Sequence, residues 1–135
     1  MTAHYLIDTN TVSYIVSGRS RAARAKLESN LAESVISSVT EAELRYGVVR
    51  RPEAIKLRKA VESFLAVVSI RAWDSDAAKA YSIMRARMTA AGKSLTALDM
   101  MIAAHAAALR SVLVTNDNAF NRAGVLGSVN WADDL

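Results

Sequence analysis

The sequence has no cysteine among its 135 residues. Disulfides, cysteine-ligated zinc, iron–sulfur clusters and thiol catalysis are therefore excluded. Histidine is almost as scarce, with only His4 and His105. No two histidines stand at helical spacing for zinc, and the HExxH pattern is absent. His105 follows Ala104 in an apolar stretch and reads as a packed core histidine. Long hydrophobic runs are also missing. The longest, 97–109, is broken by Asp99 and His105, too short and too polar to cross a bilayer. Residues 1–8 lack the basic start and long apolar run of a secretion signal. The expectation is a soluble, cytoplasmic chain with no membrane contact. There are no repeats, low-complexity tracts or linkers, so 1–135 reads as one domain. Gly92-Lys93-Ser94 looks like the end of a phosphate-binding P-loop, but the earlier glycine of that pattern falls at Arg87. A helix stop is the better reading.

What is present is a globular composition, 52% hydrophobic and 22% charged, with a net charge of +4. Short apolar runs at 5–7, 35–37, 66–70 and 112–114 read as strands, with a last edge strand within 125–131. Helical spacing covers 9–17, the Ala23-Leu27-Leu31 stripe, 40–50, 55–65, 74–91, 96–109 and 119–122. Pro52 stands where a new helix would begin, and Gly92 where one ends. Strands alternating with helices predict an α/β fold. Its central, twisted, mostly parallel sheet would have four to five strands and helices on both faces.

In such sheets ligands bind beyond the carboxyl ends of the strands. Asp8 closes the first strand, Glu43 lies one turn into the helix after the second, and Asp117 follows the fourth. Asp99 opens the helix that leads into the fourth. Each acid alone has an ordinary explanation as a helix cap or first-turn acid, Thr40-x-x-Glu43 and Thr96-x-x-Asp99 included. Capping does not require all four to meet at one sheet edge. Asp8 follows Leu6-Ile7 and Asp99 precedes Met100-Met101-Ile102, with no adjacent Lys or Arg. Carboxylates in such surroundings are costly unless something positive joins them. Two of them about 4 Å apart repel by roughly 4 kcal/mol at an effective dielectric near 20. A divalent cation removes the conflict, and oxygen-only ligands favour Mg²⁺ or Mn²⁺. An acidic pocket, a hard metal and basic surroundings together suggest phosphodiester hydrolysis.

The order and spacing of Leu6-Ile7-Asp8-Thr9-Asn10, then Ser37 through Gly47 with Thr40-Glu41-Ala42-Glu43, extend the pattern. Asp99-Met100-Met101-Ile102-Ala103-Ala104-His105 and Val112-Leu113-Val114-Thr115-Asn116-Asp117 complete it. The chain resembles the PIN-domain ribonucleases, and among them the VapC-type toxins of bacterial toxin–antitoxin pairs, nearly end to end. The resemblance implies a metal-dependent endoribonuclease acting on structured RNA such as tRNA or rRNA. It assigns Mg²⁺ or Mn²⁺ to acids matching Asp8, Glu43, Asp99 and Asp117, with Thr115 and Asn10 supporting them. It also implies a VapB-type antitoxin, a homodimer, a hetero-oligomer of the two proteins, and operator DNA reached only through the antitoxin. Arg19, Arg21, Arg45, Arg87 and Lys93 are then candidate RNA contacts, although each cluster also reads as a solvated helix face. A non-catalytic RNA-binding module on the same fold, or a metal-dependent DNA nuclease, are the competing readings.

Overall fold

Three strands bury both of their faces, and this organises the rest of the chain. The computed structural model describes residues 4–122 and 127–135. Strands β1 (Tyr5–Ile7), β2 (Ser34–Ser37), β3 (Ser69–Arg71), β4 (Val112–Val114) and β5 (Ser128–Val129) form one sheet in the order β3-β2-β1-β4-β5. Every neighbouring pair is parallel. Side chains alternate across a strand, so consecutive apolar residues feed opposite layers. Leu6, Val35 and Leu113 pack with Ile102, Ala103, Ala106 and Phe120 on one face. Ile7, Ile36 and Val114 pack on the other with Val12, Leu27, Leu44, Val61 and Phe64. Each such fully buried aliphatic side chain stabilises the fold by about 1.5–3 kcal/mol.

The helices divide accordingly. Helices α1 (Thr9–Val16), α2 (Arg21–Asn30), α3 (Ser38–Val49) and α4 (Ile55–Val67) supply the second layer. Helices α6 (Ala97–Leu109) and α7 (Asn118–Arg122) supply the first, with Met84 of α5 (Ser75–Ala90) packed against it. The α/β alternation, five parallel strands and two covered faces match the expectation from the sequence. The chain then returns to α2: Trp131 is buried against Tyr5, ring centroids 5.1 Å apart. The Asp134 carboxylate accepts hydrogen bonds from Ser20 Oγ at 2.6 Å and Ala22 N–H at 3.2 Å.

Two boundaries differ from the sequence reading. The stretch 66–70 was expected as the third strand, but α4 runs on to Val67 and β3 begins at Ser69. The buried positions Val61, Phe64 and Val68 keep helical spacing, and Val68 N–H still bonds to the Phe64 carbonyl. Apolar Val67 falls on the outer, exposed side of that helix. Helix α3 starts at Ser38 rather than Thr40, because Ser37 is its cap and accepts from Val39 N–H. Of the last expected strand, Ser128–Val129 forms, while Val125 lies outside the described residues.

His105 is the buried histidine expected. Its Nδ1 lies 2.8 Å from Ser37 Oγ, tying α6 to the cap of α3. Burial lowers its pKa, Arg71 lowers it further, and Asp74 works against both. The unfolded chain therefore binds a proton at His105 more readily than the folded one, and stability falls as the pH drops below 6.5. His105→Leu keeps the bulk but removes the imidazole partner of Ser37 Oγ, leaving it only the Val39 N–H. Urea titrations should show a loss of about 1–3 kcal/mol at pH 8, and a smaller loss of stability on acidification from pH 7 to 5. An unchanged acid slope would refute this role.

Candidate active site at the carboxyl edge of the sheet

Parallel pairing in this register places the ends of β1 and β4 side by side. Ile7 pairs with Val114, and Asp8 N–H donates to the Val114 carbonyl at 2.9 Å. The next residue on each strand is then a neighbour of the other. Thr115 Oγ donates to Asp8 Oδ2 at 2.5 Å. Asp8 Oδ1 accepts from Thr11 N–H at 2.8 Å, making Asp8 the N-cap of α1. Thr115 Oγ in turn accepts from Asp117 N–H at 3.1 Å, and Asp117 Oδ1 accepts from Ala119 N–H at 2.8 Å. One hydroxyl thus links the Asp8 carboxylate to the loop that carries Asp117.

The other two acids come from helices, Asp99 from the first turn of α6 and Glu43 from within α3. Asp99 lies in the first turn of α6, with its N–H bound to Thr96 Oγ at 3.2 Å. The expected Thr96 cap therefore forms. The expected Thr40 cap does not: Thr40 is a buried helical residue whose hydroxyl lies 3.0 Å from that of Thr9. This contact pins α3 to α1 beside Asp8. Glu43, one turn further along α3, is half-buried and faces the same groove as Thr9 and Asn10.

Asp8 is the unusual group. It is 4% exposed. The ion pairs Arg24–Glu28, Arg45–Glu41 and Arg51–Glu53 lie elsewhere and do not involve it. Burial pushes its carboxyl above the ordinary value. Hydrogen bonds from Thr115 and Thr11 oppose this, and the negative charge of Asp99 adds to the rise. Thr11 Oγ is also fully buried and has no hydrogen-bond partner among the described residues. The donors here are carboxylate and hydroxyl oxygens, the chemistry of a hard divalent cation. Among the described residues no three acidic or histidine side chains converge closely enough to hold an ion by themselves. Mg²⁺ commonly binds through one or two carboxylates and keeps several waters, so an open set of this kind fits it.

The basic candidates scatter. Arg19 lines the groove that holds Glu43. Arg45 is paired with Glu41 at 2.9 Å, and Arg21 is exposed at the start of α2. Arg87 and Lys93 line a separate cavity between α5 and α6. The sequence reading missed the Thr9–Thr40 contact and the unpartnered Thr11 hydroxyl. The run Asp8-Thr9-Asn10-Thr11, with two hydroxyls within three residues of the acid, was the available signal.

A carboxyl raised by burial holds its proton more tightly in the folded chain than in the unfolded one. The stability it brings is complete below 3.8 and is lost as the pH rises through the folded value. Asp8→Asn removes the buried charge. Thermal melts should show a higher Tm than wild type at pH 7 and a smaller difference at pH 3.5. A Tm gap that does not change with pH would refute the buried-charge account.

A family model for the PIN domain matches residues 5–126. Ribonuclease VapC2 of Haemophilus influenzae is 30% identical, over 94% of this chain and 97% of its own. The tRNA(fMet)-specific endonuclease VapC of Shigella flexneri is 28% identical, over 95% and 98%. Among solved structures, the DNA-bound VapBC of Salmonella typhimurium superposes with a TM-score of 0.89 at 28% identity, covering 97% of this chain and 99% of that one. Fold, register and end-to-end similarity agree, and the chain belongs to the PIN-domain family, on its VapC branch.

Proposed function

We propose that this chain is an endoribonuclease, the toxin of a toxin–antitoxin pair, and that it hydrolyses structured RNA such as tRNA with the help of Mg²⁺ or Mn²⁺. The observation that carries the reading is the buried Asp8 carboxylate, held by Thr115 and Thr11, with the negative charge of Asp99 near enough to raise it. Asp8 and Asp99 would hold the ion, with Glu43 and Asp117 completing the acidic ring. When bound, a hard divalent ion supplies charge that polarises the phosphodiester and lowers the pKa of a water molecule.

The chain's own groups do the rest. Thr115 fixes the Asp8 carboxylate in one rotamer by bonding to Oδ2. Glu43, half-buried at the groove, orients the attacking water and takes its proton. Attack of that water on phosphorus in line with the leaving oxygen breaks the P–O3′ bond; O3′ takes a proton from solvent, giving a 3′-hydroxyl and a 5′-phosphate. The tRNA(fMet)-specific name of the Shigella relative supports tRNA as substrate class. The VapBC assembly from Salmonella supports a VapB-type antitoxin as partner, with operator DNA reached through it. A homodimer and a cytoplasmic location belong to the same reading; among the described residues no helix is long and apolar enough to cross a membrane.

Purified protein with labelled tRNA should cut in Mg²⁺ or Mn²⁺ and stop in EDTA. Asp8→Asn and Asp99→Asn should each lower the rate at least about 100-fold, the loss expected when several kcal/mol of transition-state stabilisation disappear. Undiminished cutting by either variant would sink the site assignment, and a cyclic phosphate product would sink the mechanism. Thr115→Val should cost about 10–100-fold, as for other groups that orient a ligand, whereas Thr115→Ser should retain most of the activity. Equal rates for the two would remove Thr115 from the site.

A further inference from the structure

The groove that begins at Glu43 does not end there. It is a polar depression of about 490 Å³ between α1, α3 and α4, and Asn10, Tyr14, Arg19, Tyr46 and Arg50 line it together with Glu43. Two of these residues form a pair at the end of α1. Gly18, at φ +77°, turns the chain so that Arg19 N–H bonds back to the Tyr14 carbonyl at 3.0 Å. The Arg19 guanidinium then lies 5.2 Å from the centre of the Tyr14 ring. A second pair forms at the end of α3. Arg50 N–H bonds to the Tyr46 carbonyl at 3.0 Å, and the guanidinium stands 5.8 Å from the Tyr46 ring. Two helices therefore present the same Tyr–Arg device to one groove.

Among the described residues neither Arg19 nor Arg50 is ion-paired, while their neighbour Arg51 makes only an exposed 4.0 Å contact with Glu53. Tyr46 is 62% exposed, too open to be justified by core packing. Seven residues of helix separate Glu43 from Arg50, a rise of about 10 Å. The far end of the groove is thus about one nucleotide or two away from the acids rather than on top of them.

We infer that this groove is the strand-binding subsite: an unpaired RNA base stacks on Tyr46, and Arg19 and Arg50 take the flanking phosphates. The inference rests on the RNA-cleaving reading of the acidic site and adds where the substrate strand runs. The chemistry is that of single-stranded recognition, in which aromatic faces stack splayed bases and arginine planes and charges hold the backbone. A duplex offers no free base face, and its shape does not fit a depression of this size. The basic groove also answers a difficulty of the acidic site, which by itself repels a polyanion.

The test uses the full chain carrying Asp8→Asn, so that RNA is bound without being cut. Anisotropy of a labelled single-stranded oligoribonucleotide is the readout, with wild-type cleavage measured in parallel. Tyr46→Ala and Tyr46→Leu should weaken binding about 5- to 150-fold, the range for loss of a base–aromatic stack, and Tyr46→Phe should bind as the parent does. Arg19→Ala and Arg50→Ala should each lower the slope of log affinity against log salt by about 0.7. Lys26→Ala, which removes a charge lining a different cavity beside His4 and Tyr5, should leave the slope alone. If wild type cuts RNA and the Tyr46 and arginine variants bind like the parent, the groove assignment falls while the nuclease reading stands. If wild type neither binds nor cuts RNA, both fall. Equal losses for single-stranded and duplex RNA, or a loss confined to a protein partner, would also overturn the subsite.

Discussion

The Thr115–Asp8 hydrogen bond is the contact on which the functional end of this molecule depends. It joins residues 107 positions apart, and its geometry follows from strand pairing rather than from local sequence preference. A buried carboxylate without hydrogen bonds is among the costliest features a small domain can carry. Here both oxygens are held, one by a backbone N–H and one by a hydroxyl, which offsets part of the cost of burying the charge. The same hydroxyl receives the Asp117 N–H, so a single side chain coordinates two acids' positions.

The fold serves this contact by aligning helix N-termini with strand ends. Asp8, Ser37 and Thr96 each cap a helix, and all three helices point their partial positive ends toward the acidic edge. His105 reaches from α6 to the Ser37 cap, so the two helices bearing Asp99 and Glu43 are joined through a buried polar pair. Sheet, caps and acids are therefore one construction. Disturbing the α6–α3 link alters the frame in which the carboxylates sit.

Much of this was legible in the sequence. Alternating apolar runs announced the parallel sheet, and Asp8 and Asp117 stand just beyond the ends of β1 and β4, where the sequence put them. Gly92, at φ +68°, ends α5 as its position suggested. The border of α4 and β3 was not legible, because Ala66-Val67-Val68 suits a strand by composition and a helix by spacing. The spacing of Val61, Phe64 and Val68 decided it only through burial. Thr40 looked like a cap because Ser/Thr-x-x-Glu is a local pattern, and the structure gives that role to Ser37 and binds Thr40 to Thr9. The groove of paired tyrosines and arginines could not be read along the chain. Tyr14–Arg19 and Tyr46–Arg50 are local pairs, but their meeting requires α1 and α3 to be laid side by side by the Thr9–Thr40 contact.

Strand β1 lies in the middle of the sheet although it is the first strand of the chain, and one of its neighbours, β4, is the fourth. A ribosome releases Asp8 long before Thr115, 107 positions further on. In the interval the nascent chain holds an acidic residue with no hydroxyl to lock it, and its central strand lacks one edge. The frame around Asp8 cannot close until β4 has followed β1. Topology alone thus delays assembly of the acidic edge until two strands far apart in the chain have both emerged.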